Sequence, residues 1–293
     1  MILDQLPNVL VSSVALAAVY AVVALGWVIL FRATRIMNFA TGQLVAVGAY
    51  LYYWLTSGLG VPFLPALIAT LVLVGLLGVT LHFAIMRHMA SQKGFAPIIL
   101  TMGISIMLQH TISLLFGGGA QAVSLPVPVA TVSLGSGVGI TSSDILTIVL
   151  SLVMVGTVAV MIRYSQWGIQ MRAAAENPLL AAQSGINIDR VFAVGWLITL
   201  VTLALMGISY SFATILVPDV AGVGLRGLAP AIVGGLDSVT GVLPGAILIA
   251  LVENLSVLVL GESARDAAVM SVLLLVLVVR PTGLFGGRTV SRI

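Results

Sequence analysis

Long apolar stretches, separated by short polar ones, cover almost the whole chain. They lie near residues 8–31, 38–56, 63–86, 94–116, 142–162, 191–216, 221–236, 240–260 and 266–280. Most approach the roughly 20 residues with which a helix spans the hydrocarbon core of a membrane. The alternation of apolar and polar residues that marks a barrel strand is missing from them. Because backbone groups inside lipid must be satisfied within the segment, the pattern predicts an all-α polytopic membrane protein with about eight or nine transmembrane helices.

One stretch departs from this pattern. Residues 221–236 are short for a span and rich in glycine and alanine, with a proline and an arginine among them ("AGVGLRGLAPAIVGG"). We expect this segment to be broken or re-entrant, which leaves eight or nine full crossings open. The whole chain, 1–293, is predicted to form one transmembrane domain.

Composition agrees with a membrane environment and excludes several classes of chemistry. Of 293 residues, 60% are hydrophobic and 7% are charged, whereas soluble domains carry about 25% charged residues. The chain has no cysteine, which excludes disulfides and thiolate metal sites. It also lacks the G-x-x-x-x-G-K-[ST], H-E-x-x-H and G-x-S-x-G motifs. We therefore expect a chain with no catalytic residues, no nucleotide site of its own and no bound cofactor or metal.

The basic residues indicate an orientation. When successive loops are assigned to opposite sides, ten of the twelve Lys and Arg residues fall on one side. These are Arg32, Arg35, Arg87, Lys93, Arg163, Arg172, Arg190, Arg280, Arg288 and Arg292. Cytoplasmic loops carry the excess of basic residues, so we expect the N-terminus outside and the C-terminus in the cytoplasm. The basic residues do not cluster on one face, as they would in a nucleic-acid-binding protein, so the sequence gives no indication of such a role.

Two loops are longer than a simple connection needs. The predicted outer loop, residues 117–141, is uncharged and could form a short hairpin or only link two helices. In the predicted inner loop, residues 163–190, Asn177 before Pro178 is a helix-start signal and Gly185 is a stop signal. Two turns of helix are marginal alone. This helix is therefore expected to pack either on the protein's own surface and lipid headgroups or in a groove of a cytoplasmic partner.

Neutral polar residues near the start of the second apolar stretch are candidates for contact with a polar solute. Asn38, Thr41 and Gln43 offer hydrogen-bonding groups beside Gly42, and glycine lets helices approach closely. Such groups can contact a polar solute without the cost of burying a charge. They could also serve only to bridge helices.

A carboxylate lies near the middle of the stretch 240–260. Glu253 and its neighbour Asn254 occur in "ALVENLSVL". An intramembrane carboxylate is a candidate functional group that faces the protein interior or a water-filled route. It could equally form a structural ion pair, with Arg226 or Arg265 as the partner, or be a protonated acid bonded to a neighbouring helix.

Four segments of the chain resemble motifs of one transporter class. They are "RIMNFATG" from Arg35, "RAAAENPLLAAQSGINIDR" from Arg172, "IVGGLDSVTGVLPGA" and "RPTGLFG". In this order and spacing they are similar to the permeases of ABC importers of the branched-chain amino acid class, the LivH/LivM type. The chain departs from that pattern at Thr41, Gln43 and Leu180, which leaves the transported solute open.

The resemblance implies a fold, a site and partners. The fold would be that of an ABC importer permease with central broken, glycine-rich helices, in the inner membrane of a bacterium. The segment that opens at Asn38 would line the route between two permease subunits. The residues that contact the ATPase would be Arg172, Glu176, Asn177, Pro178, Leu179, Leu180, Ala181, Ala182 and Gly185.

The implied partners are a second, homologous (LivM-like) permease subunit, two cytoplasmic ATPases carrying ATP and Mg²⁺, and an external solute-binding protein. The implied cargo is branched-chain amino acids or related small polar or carboxylate solutes. An alternative from another class is a stand-alone ion-coupled transporter or channel that uses Glu253.

Overall fold

The fold was analysed in a computed structural model, which describes residues 2–89, 95–121, 123, 130–135, 138–217 and 221–286. Its helices are α1 Ile2–Thr34, α2 Thr41–Tyr53, α3 Phe63–Leu81, α4 Ala96–Phe116, α5 Ser142–Tyr164, α6 Gln166–Glu176, α7 Pro178–Gln183, α8 Ile188–Ala213, α9 Ala221–Arg226, α10 Leu228–Gly234, α11 Val242–Leu260 and α12 Arg265–Val279. Lys93, Arg288, Arg292 and part of the 117–141 loop lie outside the described residues.

Within the described residues, six helices are long and apolar enough to cross a membrane: α1, α3 with its continuation to Met89, α4, α5, α8 and α11. Their positions agree with the apolar stretches of the sequence, and the arrangement is that of an all-α membrane protein. Helices α2, with 13 residues, and α12, with 15, are shorter. A π-helical turn, Trp54–Gly58, lengthens α2. The total of eight or nine crossings therefore stays a prediction.

The long helix α1 occupies the centre of the molecule. It packs against α5, α8, α10 and α11. Buried side chains are therefore found on all faces of α1. A helix that is apolar all round is expected in such a position. By contrast, α3, α4 and α5 carry many exposed apolar side chains on their outward faces. In a membrane these faces meet lipid or another subunit.

Helix α2 lies in close backbone contact with α8. A Cβ atom added to Gly48 would lie 2.3 Å from the Cα atom of Ala204, and one added to Gly207 would lie 2.2 Å from the carbonyl oxygen of Val45. Only glycine permits this separation, which is the role of small residues between membrane helices. Contact with α8 and α9 buries α2 on nearly every face.

The segment before α11 crosses the molecule as a broken helix. At one end, the backbone N–H of Leu216 donates to the carbonyl of Gln121, whose side chain accepts from the Tyr53 hydroxyl at the end of α2. At the other end, Arg35, just before α2, donates to Asp237 at 2.5 Å. Helices α9 and α10 lie between these points and separate at Gly227. The sequence predicted a broken or re-entrant segment, and the structure shows the break.

The uncharged loop contains a hairpin. Strands β1, Thr131–Gly135, and β2, Val138–Thr141, pair antiparallel, with Thr131 opposite Thr141. Of the two possibilities left open by the sequence, the hairpin is correct for this part of the loop. Thr141 and Asp144 then cap the start of α5 through reciprocal hydrogen bonds.

Candidate functional site

A two-helix segment, α6 and α7, connects α5 to α8 at the end of the molecule that carries Arg32, Arg35, Arg163, Arg172 and Arg190. We call this end the arginine-rich end. The Ser165 hydroxyl accepts from the backbone N–H of Gly168 and caps α6. The Trp167 indole donates to the carbonyl of Val191 in α8 at 3.1 Å. The segment is thus attached to α8 as well as to α5.

Two further contacts fix α6 against α5. Arg172 donates to the carbonyl of Ile162 at 2.6 Å. A Cβ atom added to Gly168 would lie 2.1 Å from the same carbonyl oxygen, so only glycine fits there. Met171 and Ala174 are buried beneath the helix. A movement of α6 must therefore displace the end of α5.

Helix α7 begins and ends as the sequence predicts. The Asn177 side chain accepts from the backbone N–H of Leu180 at 3.0 Å, and Pro178 occupies the first turn. Gly185 has φ +84°, the left-handed conformation that terminates a helix. These features define a short, rigid helix.

The outer face of α7 is apolar and exposed. Leu179 is 68% exposed and Leu180 is 58% exposed, while Ala181 is buried against the protein. Glu176 and Ala182 are exposed on the same segment. The two adjacent leucines form an exposed apolar patch on a helix that is fixed at both ends. A complementary groove on another protein can bind such a patch.

The four predicted pathway residues at the start of α2 are buried within the single chain. Asn38 is 1% exposed; its side chain accepts from the backbone N–H of Ala40, and its carbonyl accepts from the Thr41 hydroxyl at 2.7 Å. Gly42 lies against Gly224 of α9. A Cβ atom added to Gly224 would lie 2.1 Å from the Cα atom of Gly42. Asn38 and Thr41 therefore order the start of α2.

Two polar atoms in this group have no hydrogen-bond partner among the described residues. They are Nδ2 of Asn38 and Oε1 of Gln43. Gln43 is only 3% exposed in this conformation. A role of these side chains in a transport route therefore stays a prediction, and it requires α2 and its neighbours to move apart.

Glu253 forms a buried cluster between α1, α11 and α12. The Tyr20 hydroxyl donates to Oε2 of Glu253 at 2.6 Å, and Nε of Arg265 lies 3.4 Å from Oε1. Arg265 also contacts the exposed Glu262 at 3.0 Å. Of the two candidate cations, Arg265 is within ion-pair distance of Glu253, while Arg226 lines the same small cavity and lies 3.9 Å from Asp266.

Asn254 points away from the Glu253 cluster. Its amide donates to the Ser13 hydroxyl at 3.0 Å, and Ser13 donates to the carbonyl of Val9. Asn254 therefore joins α11 to α1, on a different face from Glu253. The sequence suggested neither Ser13 nor Tyr20 as a partner, because contacts more than 230 residues apart leave no local pattern.

Substitutions in the Glu253 cluster should have unequal effects on stability. In Arg265→Gln, the buried Glu253 loses its counter-ion, and we expect a loss of about 3 kcal/mol of stability. Glu253→Gln should cost less because Arg265 keeps Glu262 as a partner. Thermal unfolding of the purified protein in detergent measures the stability loss of each variant. Glu262→Gln, at an exposed position, is the control. Equal effects of all three variants would contradict this account.

The comparisons with known proteins agree with these features. The family described as "Branched-chain amino acid transport system / permease component" matches residues 9–279. The high-affinity branched-chain amino acid transport permease LivH of Salmonella typhimurium is 28% identical over 96% of each chain. LivH of Escherichia coli is 27% identical over 96% of each chain, and BraD of Pseudomonas aeruginosa is 25% identical over 97% of each. No solved structure gives a significant match. The chain belongs to the family of permease components of branched-chain amino acid transport systems.

Proposed function

We propose that this chain is the membrane-spanning permease subunit of an ATP-driven ABC importer. Its cargo would be branched-chain amino acids, the solutes named for its relatives, or related small polar or carboxylate solutes. The observation that carries the proposal is the exposed leucine pair of α7 on a segment attached to α5 and α8. A separate ATPase can bind this pair and move both helices.

The proposed assembly has four kinds of subunit. A second, LivM-like permease would pair with this chain, and two ATPases that bind ATP and Mg²⁺ would contact α7 from the cytoplasm. An external solute-binding protein would deliver cargo at the opposite end. The arginine-rich end would face the cytoplasm of a bacterial cell, because basic residues are retained on that side.

The proposed mechanism is a movement transmitted through helix contacts. Closure of the ATPases would push α7, and the bonds of Trp167 and Arg172 would carry that movement to α8 and α5. Helix α8 is in close backbone contact with α2. The displacement would therefore reach Asn38 and Gln43 and open a route beside them.

A stand-alone ion-coupled transporter is less well supported. Both carboxylate oxygens of Glu253 have partners, one with Tyr20 and one with Arg265. A coupling carboxylate must exchange its ion or proton during transport. In Glu253, the hydrogen bond from Tyr20 and the ion pair with Arg265 instead indicate a structural role.

Reconstitution tests the proposal. Vesicles that contain both permeases, the ATPases and the binding protein should take up radiolabelled leucine only when ATP is present on the ATPase side. Omission of the ATPases should abolish uptake, and an imposed proton gradient should not restore it. Uptake by this chain alone, driven by a proton gradient, would refute the proposal.

A further inference from the structure

A cavity of about 540 Å³ opens at the arginine-rich end, between α1, α5, α6 and the loop before α11. It is distinct from the exposed face of α7. Its polar lining includes Arg32, Arg163, Arg172, Asp237, Ser238 and Thr240. One side of this cavity is therefore formed by charged and hydroxyl groups that converge from four parts of the fold.

The cavity carries a net positive charge. Its one carboxylate, Asp237, is paired with Arg35, which is not among the lining residues. Within the described part of the chain, no acidic residue lies within ion-pair distance of Arg32, Arg163 or Arg172. The charge of Arg32 is opposed by those of Arg172 and Arg35 and is favoured by that of Asp237. Like charges gathered in one concave site attract an anion.

The remaining wall of the cavity is apolar. It includes Ala159, Val160 and Phe285, of which Val160 is 58% exposed. Arg32 and Arg163 lie in the last turns of the spans α1 and α5. The charged part of the cavity is therefore at the level where a membrane helix ends, and the apolar part continues along the hydrocarbon side of α5.

We propose that this cavity binds the phosphate group of an anionic phospholipid through Arg32, Arg163 and Arg172. Guanidinium groups bind phosphate oxygens through charge-assisted hydrogen bonds. Basic pockets between helix ends at the membrane surface suit such headgroups. A free phosphate shares this chemistry, but it would leave the apolar wall formed by Val160 and Phe285 without a function. The acyl chain of a lipid would cover that wall.

The position of Arg172 gives the lipid a structural consequence. Arg172 belongs to α6, whereas Arg32 and Arg163 belong to α1 and α5. One headgroup that contacts all three joins α6 to two membrane spans. If α6 and α7 transmit ATPase movement, as proposed above, anionic lipid would strengthen that transmission. The binding itself does not depend on the proposed function.

Lipid binding to the isolated permease tests this site. The full chain is purified, exposed to micelles with equal amounts of phosphatidylglycerol and phosphatidylcholine, and examined by native mass spectrometry. Phosphatidylglycerol should be retained preferentially. Arg163→Gln should lower its retention about fivefold, while Arg163→Lys should lower it less because the charge is kept. Arg190→Gln, at the same end but outside the cavity, should leave retention unchanged.

Three outcomes would overturn the proposal. Equal retention of the two lipids would show that the cavity does not select an anionic headgroup. Equal losses in Arg163→Gln and Arg190→Gln would show that only the general charge of this end matters. Complete displacement of phosphatidylglycerol by excess inorganic phosphate would assign the site to a free anion. Arg163 is chosen for substitution because its guanidinium group overlies the Tyr164 ring. Substitution of Arg172 would also break its hydrogen bond to the Ile162 carbonyl in α5 and so disturb the fold.

Discussion

The double substitution Leu179→Glu, Leu180→Glu should abolish association with the ATPase while leaving the permease folded. Both side chains are more than half exposed, so their substitution should change the stability of the folded permease little. In a complex, each buried leucine contributes about 2 kcal/mol, and a carboxylate in its place must be desolvated. The ATPase affinity should therefore fall about a hundredfold or more. Co-purification of the ATPase and ATP-driven uptake measure the loss.

A matched control separates this effect from a general one. Leu59 is 57% exposed and follows the π-helical turn that extends α2, at the opposite end from α7. Leu59→Glu introduces one carboxylate at an exposed leucine position and should leave the ATPase bound. If the double variant still co-purifies with the ATPase at the wild-type level, α7 is not the attachment point.

Gly48→Val should prevent α2 from packing against α8. The first added carbon would lie 2.3 Å from the Cα atom of Ala204, whereas carbon atoms normally approach to roughly 3.5 Å or more. The helices would have to separate, at a cost of about 3 kcal/mol or more. We expect a large fall in the thermal unfolding midpoint in detergent, or failure to obtain folded protein.

Gly103→Val is the control for that substitution. Gly103 lies in the exposed span α4, and an added Cβ atom would meet nothing within 4 Å. The isolated protein should therefore keep its unfolding midpoint. Similar midpoints for the Gly48 and Gly103 variants would contradict the close packing of α2 and α8.

The membrane helices could be predicted from the sequence because their signal is local. The apolar stretches agree with the helices to within a few residues, as for 142–162 and α5. The caps of α7 were also predictable, since Asn177 and Gly185 act on their immediate neighbours. Helix α6 was not predicted, although Ser165 at its start is a residue type that often caps helices.

The contacts between distant residues could not be predicted. The apolar pattern of α2 is the same whether a helix faces lipid, a pathway or the centre of one chain, so the burial of Thr41 and Gln43 needed the fold. Glu253 could be identified as unusual, and Arg265 as a possible partner. Tyr20 could not, because its contact with a residue 233 positions away leaves no local pattern in the sequence of α1.

Cross-linking from α7 tests the central claim most directly. The chain has no cysteine, so Leu179→Cys provides a unique attachment point for a reagent that combines a maleimide with a photoactivated group. In the assembled transporter, illumination should join this position to the ATPase, and Leu59→Cys should not be joined to it. A product between the Leu179→Cys position and the external binding protein, or none with the ATPase in an active assembly, would contradict the account.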